Sequence, residues 1–374
     1  MQVIDQGTIY DAREAPAHAR FCSFTSTCRL QDGTLLVSFR YGSSKDATDE
    51  NVAVYTSRDE GRTWERVKMG FEPPVPGYPT GFRGGLINEI RPGVLMGHFQ
   101  WFDRSDPTRP LADPETQGVL PSRTFIATST DGGRTWSPYT ELDMTPHKGQ
   151  AATGRVEVLR DGTLMLPYES WKEWGDASRG THTASVRLSH DGGQTWEPAV
   201  IVATHPTGRL LYWDQRLAVH PDDGRLMAMF WTHDRDAEQD VDMHIAWGTP
   251  DAREWTPPVS TGLAGQIVAP VVLPGGRVLA AYVHRHDPPS LRALLSDDFG
   301  QTWAAAPELV FYDSRSGQEA GSAGKRDFGD YWADMNVWSF GHPAPVVLPN
   351  GDVFIAYYAG DSRAMGVHWV RLAL

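Results

Sequence analysis

The chain of 374 residues has 40% hydrophobic residues, which is enough for a large buried core. Its formal net charge of −13 argues against nucleic acid and anionic membranes as partners, and an anionic small molecule would need a local basic pocket. The 37 glycines, 27 prolines and 14 tryptophans favour a turn-rich protein of many strands over a helical one.

The N-terminal stretch MQVIDQGTIYDAREA has neither the basic region nor the apolar run of a signal peptide, and the chain has no run of 18 apolar residues. We therefore expect a protein that does not enter membranes and is cytoplasmic, or a secreted one if a leader has been trimmed. Cys22 and Cys28, on one predicted strand, would be about 20 Å apart. A disulfide needs Cα atoms within roughly 7 Å, so we expect two buried free thiols.

Two short repeats run through the chain out of phase with each other. The octapeptide S-x-D-x-G-x-T-W occurs at 57–64, 129–136, 189–196 and 296–303, with a degenerate copy at 248–255. A turn followed by an apolar strand occurs at 31–39, 91–99, 160–168, 222–230, 274–282 and 349–357. Six units of about 60 residues, each with four strands, are typical of propeller blades.

The repeats predict an all-β, six-bladed β-propeller with four antiparallel strands per blade and residues 1–374 as one domain. The N-terminal strand, about residues 1–12, is expected to close the last blade and cover its free edge. A linear solenoid or two stacked sandwiches is the alternative. The octapeptide is interpreted as a structural turn, in which Ser and Asp satisfy backbone groups and Gly adopts an angle that other residues resist.

The octapeptide resembles the Asp box, or BNR repeat, of the sialidase (neuraminidase) superfamily. The resemblance is strongest over residues 30–64. There Arg40 matches the arginine that ends the second strand, and Asp46 best matches the catalytic aspartate that follows it. Asp49 is the fallback, because one extra residue intervenes. The resemblance implies a sialidase-like propeller that acts on a sugar.

The sequence departs from the sialidase pattern at three positions. Ser23 stands where the arginine of the Arg-Ile-Pro element is expected, and Arg20 lies three residues earlier. His342 stands in place of the nucleophilic tyrosine, and Asp214 in place of its glutamate partner. These departures imply a divergent active site.

Propellers bind ligands at one mouth of the central channel, where inner strands begin and second strands end. The predicted starts of the inner strands are Ser23, Arg83, Arg155, Asp214, Gln266 and His342. The predicted ends of the second strands are Arg40, Trp101, Glu169, His233, His284, His286 and Asp361. The predicted residues from the long connections are Tyr331, Trp332, Asp334 and Trp338.

Among these residues, the carboxylates Asp46, Asp214 and Glu169 and the imidazole of His342 are the catalytic candidates. Asp46 is expected as general acid/base, with Asp214 and His342 on the opposite side of the sugar. The alternative is that each carboxylate is a solvated or turn-capping group.

The remaining predicted groups are expected to bind substrate. The expected carboxylate-binding arginines are Arg40, Arg83, Arg155 and Arg216. The other expected substrate-binding residues are Gln266, His233, His284, Trp101, Trp338 and Asp334. The indoles of Trp171, Trp174, Trp213 and Trp332 would stack on sugar faces or pack between blades. Residues 103–122 and 311–343 are expected to form walls over the substrate. The pair His284 and His286 resembles half of a metal site, but two histidines are a weak signal, and we predict no metal and no cofactor.

The sequence thus predicts a sialidase-like glycoside hydrolase that acts on a terminal, acidic sugar of a glycan, with no nucleic acid and no membrane as partner. The first alternative is a uronate lyase on the same scaffold, with His342 or a tyrosine as base. The second alternative is a propeller that binds glycans or proteins without catalysis.

Overall fold

The computed structural model describes residues 1–286, 288–303, 308–314 and 338–374. Over these ranges the chain is almost entirely β-strand, and the only helical pieces are the three-residue 3₁₀ turns Ala17–Ala19 and Pro274–Gly276. No helix in these ranges is long and apolar enough to cross a membrane. The all-β prediction is confirmed.

Four sheets are each built from strands that follow one another in the chain. The first comprises β6 (Gly84–Arg91), β7 (Val94–Phe102), β8 (Ser122–Ser129) and β9 (Thr140–Glu141). The second comprises β10 (Gly149–Ala152), β11 (Glu157–Val158), β12 (Leu164–Trp171), β13 (Thr183–Ser189) and β14 (Val200–Ala203). The third comprises β15 (Leu210–Val219), β16 (Leu226–Asp234), β17 (Gln239–Gly248) and β18 (Val259–Ser260). The fourth comprises β19 (Gln266–Val272), β20 (Val278–His284), β21 (Ser290–Ser296) and β22 (Leu309–Asp313).

The fifth sheet has eight strands and joins the two ends of the chain. Its N-terminal strands are β1 (Gln2–Tyr10), β2 (Phe21–Arg29), β3 (Leu35–Gly42), β4 (Asn51–Ser57) and β5 (Glu65–Met69). Its C-terminal strands are β23 (Phe340–Val347), β24 (Val353–Gly360) and β25 (Met365–Ala373). Strand β1 pairs antiparallel with β25. The two halves meet at one parallel pair, Phe21 with Met365.

Inner strands of neighbouring sheets contact one another around a common centre. Contacts join β2 to β6 and β23, β19 to β15 and β23, and β11 to β6, while β15 also contacts β12, the second strand of the neighbouring sheet. The second strands β3, β16 and β24 are buried along almost their whole length. The core therefore lies between sheets, and the sheets form a propeller arrangement in which the inner strands surround the centre.

The octapeptides form one recurrent turn. In the first copy, Ser57 Oγ donates a hydrogen bond to Asp59, the Gly61 amide donates to Ser57 Oγ, and Thr63 Oγ1 donates to Asp59. The same three contacts recur in the copies that start at Ser129, Ser189 and Ser296. The Thr63 hydroxyl, followed by its amide, lowers the pKa of Asp59 to about 2. Ser57 pairs with Leu35 at the start of β3. The octapeptide turn and the C-terminal end of β3 therefore lie at opposite ends of the sheet.

Both cysteines are buried and free, so the prediction of buried thiols is confirmed. Burial raises the pKa of Cys28 to about 12, and it raises the pKa of Cys22 as well. Neither thiol supplies a reactive thiolate near neutral pH.

Candidate active site

Four inner strands carry an irregularity near their start that re-aims side chains. The ladder register shifts between Ser23 and Ser26, Trp213 and Arg216, Gln266 and Val268, and Gly341 and Ala344. The residues with positive φ at these shifts are Phe24 (52°), Asp214 (51°), Ile267 (29°) and His342 (47°). A residue other than glycine at positive φ costs about 1–3 kcal/mol and is found preferentially at functional sites. Three of the four, Phe24, Asp214 and His342, line one cavity.

The register shift corrects the prediction for the first inner strand. Phe24, not Ser23, stands at the position that corresponds to Asp214 and His342. Ser23 is buried and accepts a hydrogen bond from Arg40 Nη1 at 3.2 Å. Counting residues back from the hairpin glycine fails because the connection from β15 to β16 is one residue longer than the connections that follow β2 and β23.

The cavity at the mouth has a volume of about 110 Å³. It is lined by the start of inner strands and the end of second strands, as the sequence predicted for a ligand site. The charged and imidazole groups that line it are Arg83, Glu169, Asp214, Arg216 and His342. Its apolar and aromatic lining includes Phe24, Leu86, Phe102, Leu111, Trp171, Trp213 and Trp231. Leu111 belongs to the segment 103–122 that was expected to form a wall.

Two carboxyl groups from neighbouring sheets meet on one wall of this cavity. The backbone amide of Asp214 on β15 donates a hydrogen bond to Glu169 Oε2 on β12 at 3.1 Å. Burial, followed by the negative charge of Asp214, raises the pKa of Glu169 well above its usual range. Burial also raises the pKa of Asp214, although Arg216, with Nη2 3.4 Å from Asp214 Oδ1, opposes the shift. The pair therefore retains a proton at a pH where an isolated carboxyl group would have lost it.

The imidazole of His342 is neutral. Arg216 Nη2 lies 3.3 Å from His342 Nδ1. Since a guanidinium can only donate, Nδ1 is the acceptor and the ring proton is on Nε2. Burial, followed by the charges of Arg216, Lys45 and Arg285, holds the pKa of His342 well below its usual range. His342 can accept or relay a proton but holds no second proton at neutral pH.

Asp46 lies in a network of arginines beside the cavity. Arg83 Nη1 is 3.1 Å from Asp46 Oδ1 and 3.0 Å from Glu50 Oε2, and Arg104 Nη2 is 3.0 Å from Asp46 Oδ1. Burial alone would raise the pKa of Asp46, but the guanidinium groups of Arg83, Arg104 and Arg40 outweigh it and hold that pKa below its usual range. Asp46 is therefore a carboxylate, not an acid, at neutral pH.

The fallback Asp49 has a local role in the loop after β3. Its Oδ1 accepts hydrogen bonds from the amide and the hydroxyl of Ser43, both at 3.0 Å. It is exposed to solvent, whereas Asp46 contacts Arg83, which lines the cavity. Of the two aspartates, Asp46 is the one that the structure places beside the site.

Two of the predicted substrate-binding arginines do not reach the cavity. Arg40 is only 1% exposed, and its Nε lies 2.8 Å from Glu50 Oε2. Arg155 lies beyond the start of its inner strand, pairs with Glu157 at 2.9 Å and donates to the Thr27 carbonyl. Arg40 is held inside the fold by a buried carboxylate, Glu50, that sequence reasoning missed. These two assignments are corrected to structural roles.

Other predicted substrate contacts lie behind the cavity wall. His233 stacks on Trp213 with ring centroids 5.0 Å apart, and its Nδ1 lies 3.2 Å from Asp240 Oδ1. Gln266 Nε2 donates to Asp240 Oδ2 at 2.8 Å. Trp338 stacks on Arg285 and lies 6.0 Å from the Trp231 ring. These side chains support the aromatic wall and do not line the cavity.

The remaining predicted groups lie elsewhere or outside the described residues. Trp101 donates to Thr80 Oγ1 at 2.9 Å and lines a separate surface groove. His284 Nδ1 lies 3.4 Å from the carbonyl oxygen of Pro288, and its ring is 5.2 Å from that of His286. Within the described ranges, no group of three or more His, Cys, Asp or Glu could hold a metal ion. Asp334, Tyr331, Trp332 and most of the segment 311–343 lie outside the described residues.

An all-β propeller with a charged and aromatic mouth is the architecture of the sialidase class, and comparison with known proteins agrees. A family model described as a BNR repeat-like domain matches residues 112–355. A sialidase from Micromonospora viridifaciens is 26% identical over an alignment of 381 positions, which covers 92% of this chain and 56% of the relative. The chain thus spans about half the length of that curated relative.

Solved structures show the same fold. A Hadza microbial sialidase superposes with a TM-score of 0.70 at 17% identity, covering 99% of this chain and 68% of that one. An alpha-L-arabinanase from Penicillium chrysogenum superposes with a TM-score of 0.65 at 15% identity, covering 100% and 98%. The chain belongs to the BNR repeat-like family within the sialidase propeller superfamily.

Proposed function

We propose that the protein is a glycoside hydrolase that releases a terminal sugar from a glycan, with the proton held by Glu169 and Asp214 as its catalytic acid. The observation that carries the proposal is that Glu169 and Asp214 both line the mouth cavity and are neighbours there, with the Asp214 backbone amide donating a hydrogen bond to the buried Glu169 carboxyl group. Glycoside hydrolysis needs a protonated acid beside the leaving oxygen. A carboxyl group with a raised pKa holds that proton near neutral pH.

The second catalytic group is proposed to be Asp46. Hydrolysis also needs a charged carboxylate that attacks the sugar or activates water from the other side. Arg83 and Arg104 keep Asp46 ionised, and Arg83 lines the same cavity as Glu169 and Asp214. The two carboxyl sites therefore differ in protonation, as acid and base roles require.

The aromatic lining suits the apolar face of a sugar ring. The Trp171 and Trp213 rings are 5.9 Å apart, and the Trp213 and Trp231 rings are 4.8 Å apart. Indoles offer large flat apolar surfaces with a polar N–H at the edge. Asp46 and Glu50 compensate most of the charge of the three arginines Arg40, Arg83 and Arg104, which weakens the attraction of these arginines for an acidic sugar. We propose that the sugar in the cavity itself is uncharged.

The proposal includes a six-bladed, single-domain propeller. The eight-stranded sheet would be two blades, β2–β5 and β23–β25 with β1, joined at Phe21 and Met365. With the four other sheets this gives six blades. Strand β1 would then be the outer strand of the last blade and close the ring.

The test is turnover of a panel of aryl glycosides, each with a 4-nitrophenyl and a 2,4-dinitrophenyl leaving group. For the sugar whose glycosides the wild type hydrolyses, Glu169→Gln should lower kcat/KM for the 4-nitrophenyl glycoside about 10²–10⁴-fold. It should lower kcat/KM much less for the dinitrophenyl glycoside, because this better leaving group needs less protonation. Glu173→Gln, an exposed glutamate four residues further on, is the matched control and should behave as the wild type.

The same panel distinguishes the alternatives. Equal losses on both leaving groups would contradict the acid role of Glu169. An unsaturated product that absorbs in the ultraviolet would indicate lyase chemistry on uronides. No turnover of any glycoside or natural oligosaccharide, together with saturable glycan binding, would indicate a binding propeller and overturn the hydrolase proposal.

A further inference from the structure

A second, smaller pocket lies at the mouth next to the cavity. It is bounded by the end of β12, the segment before β13, the start of β15 and the end of β16. Its lining residues are Gln117, Ser170, Trp171, Lys172, Arg179, Gly180, Thr181, His182, Leu211 and Arg235. Trp171 lines both the cavity and this pocket, so a ligand could place one group on each side of that indole.

The pocket is cationic in a strongly acidic protein. Three of its lining residues, Lys172, Arg179 and Arg235, are positively charged, and none of its lining residues is a carboxylate. This composition contrasts with the overall charge of −13. It also contrasts with the cavity, where Glu169 and Asp214 accompany Arg83 and Arg216.

Nearby carboxylates compensate the charge of these cations only in part: Asp113 and Asp176 act on Lys172, and Asp236 acts on Arg179 and Arg235. Lys172 Nζ donates to the carbonyl oxygen of Ser178 at 2.8 Å, and Arg235 Nη1 donates to that of Arg179 at 2.8 Å. Arg179 pairs with Asp236 at 2.6 Å, although both side chains are about half exposed. The pKa of Arg235 is lowered by burial and, to a smaller extent, by the charge of Arg179. The pKa of Lys172 is lowered by burial and, to a smaller extent, by the charge of Arg235. Arg235 thus repels both Lys172 and Arg179, and a bound anion would relieve this repulsion.

We propose that this pocket is an oxyanion subsite that binds the sulfate ester or carboxylate of a sugar residue joined to the one in the cavity. Guanidinium and ammonium groups donate charge-assisted hydrogen bonds to such oxygens, and Ser170, Thr181 and Gln117 add neutral polar groups. Anion binding itself does not depend on the proposed hydrolase function, but its use in substrate recognition does. In this proposal the acidic group expected on the substrate is recognised by this pocket and not by the arginines beside Asp46.

The first experiment is a calorimetric titration of the full chain with sodium sulfate at constant ionic strength. The wild type should bind sulfate saturably, and the double variant Lys172→Gln/Arg235→Gln should bind it at least about tenfold more weakly, because it loses two charge-assisted contacts. Arg134→Gln, a half-exposed arginine paired with Glu65 in an octapeptide turn, is the matched control. If the double variant has a lower Tm than the wild type, sulfate affinity is measured in Arg179→Gln instead. The Arg179 side chain is half exposed, so its replacement should remove a charge from the pocket without unfolding the protein. No saturable binding, or equal affinity in all variants, overturns the proposal.

The second experiment compares neutral, sulfated and carboxylated forms of the same oligosaccharides on a glycan array. Preference for the sulfated form identifies a sulfate ester as the natural anion, and preference for the carboxylated form identifies a uronate or a similar acid. Equal binding of all three forms overturns the role in glycan recognition. Glu169→Gln should bind sulfate as the wild type does, although it should lose turnover. Sulfate binding therefore tests the subsite and turnover tests the hydrolase proposal, so the two can fail independently.

Discussion

The backbone amide of Asp214 and the carboxyl group of Glu169 are joined by a hydrogen bond of 3.1 Å across two neighbouring sheets. The bond forms because Asp214 has φ +51° at a bulge of β15, while Glu169 lies near the end of β12. The fold thus holds two acidic groups close together, Glu169 buried and Asp214 half-buried, where each disfavours the charge of the other. The amide hydrogen bond by itself favours the charged form of Glu169, but burial and the nearby charge of Asp214 outweigh it and raise the pKa of Glu169.

The raised pKa of Glu169 should make the folded protein less stable as the pH rises. The folded state keeps a proton that the unfolded state releases near the ordinary glutamate pKa of 4.5. The contribution to stability is therefore complete below that pH and is lost as the pH rises through the raised pKa. In Glu169→Gln this part of the decline should disappear. Thermal unfolding of both proteins from about pH 4 to about pH 8 measures it, and parallel curves would contradict the raised pKa.

Removing the charge of Glu50 should destabilise the fold strongly. Glu50 is 2% exposed and contacts both Arg40 and Arg83. Glu50→Gln leaves the buried Arg40 without its counter-ion, which costs about 3–5 kcal/mol. Glu60→Gln removes a carboxylate that pairs with Arg371 at the surface and should cost less than about 1 kcal/mol. Urea unfolding of the two variants measures the difference, and similar midpoints would show that Glu50 is not the counter-ion.

Much of the fold follows from local patterns that the sequence repeats. The turns with Gly33, Gly162 and Gly351, all at positive φ, mark hairpins. The strands beside these hairpins are apolar, either at every second residue or continuously, and the octapeptides mark the next turn in each unit. Both patterns act over fewer than about ten residues, so they can be recognised without knowing what the strands pack against. Glu169, Asp214 and His342 were found because they follow or precede such strands.

The parts of the site that sequence reasoning missed depend on contacts between distant segments. Phe24 takes the place in the mouth that was expected for Ser23, because hairpin lengths differ between sheets and a residue count does not allow for this. Glu50 lies next to Asp49 in sequence, yet only the fold shows that it is buried against Arg40. Trp231 lies inside an apolar strand and shows no signal that it lines the cavity. The carboxylates that pair with Arg40 and Arg83 are Asp46 and Glu50. They lie in the loop after β3, whose conformation the sequence does not predict.

His342 should show no protonation near neutral pH. Its buried ring accepts a hydrogen bond from Arg216 and is surrounded by the positive charges of Arg216, Lys45 and Arg285. The ring should therefore remain the neutral Nε2–H tautomer from about pH 5 to about pH 8, across the usual range for histidine titration. Nitrogen-15 NMR of the imidazoles, assigned with His342→Gln, measures the tautomer and its titration. A His342 resonance that titrates near pH 6.5, the ordinary histidine value, would show that the imidazolium is available as an acid.

The glycine of the octapeptide turn should matter through packing as well as through backbone angle. Gly61 has φ +96°, and a Cβ on it would lie 2.9 Å from the Phe354 ring. Gly162, in a hairpin turn, has φ +88°, but a Cβ there would meet nothing within 4 Å. Gly162→Ala should therefore cost about 1 kcal/mol from backbone strain alone, and Gly61→Ala about 1–3 kcal/mol more, because the added methyl group overpacks the contact with the Phe354 ring. Urea unfolding of both variants measures the two costs. Equal costs would show that Phe354 moves aside freely, and that the turn glycine is required only for its backbone angle.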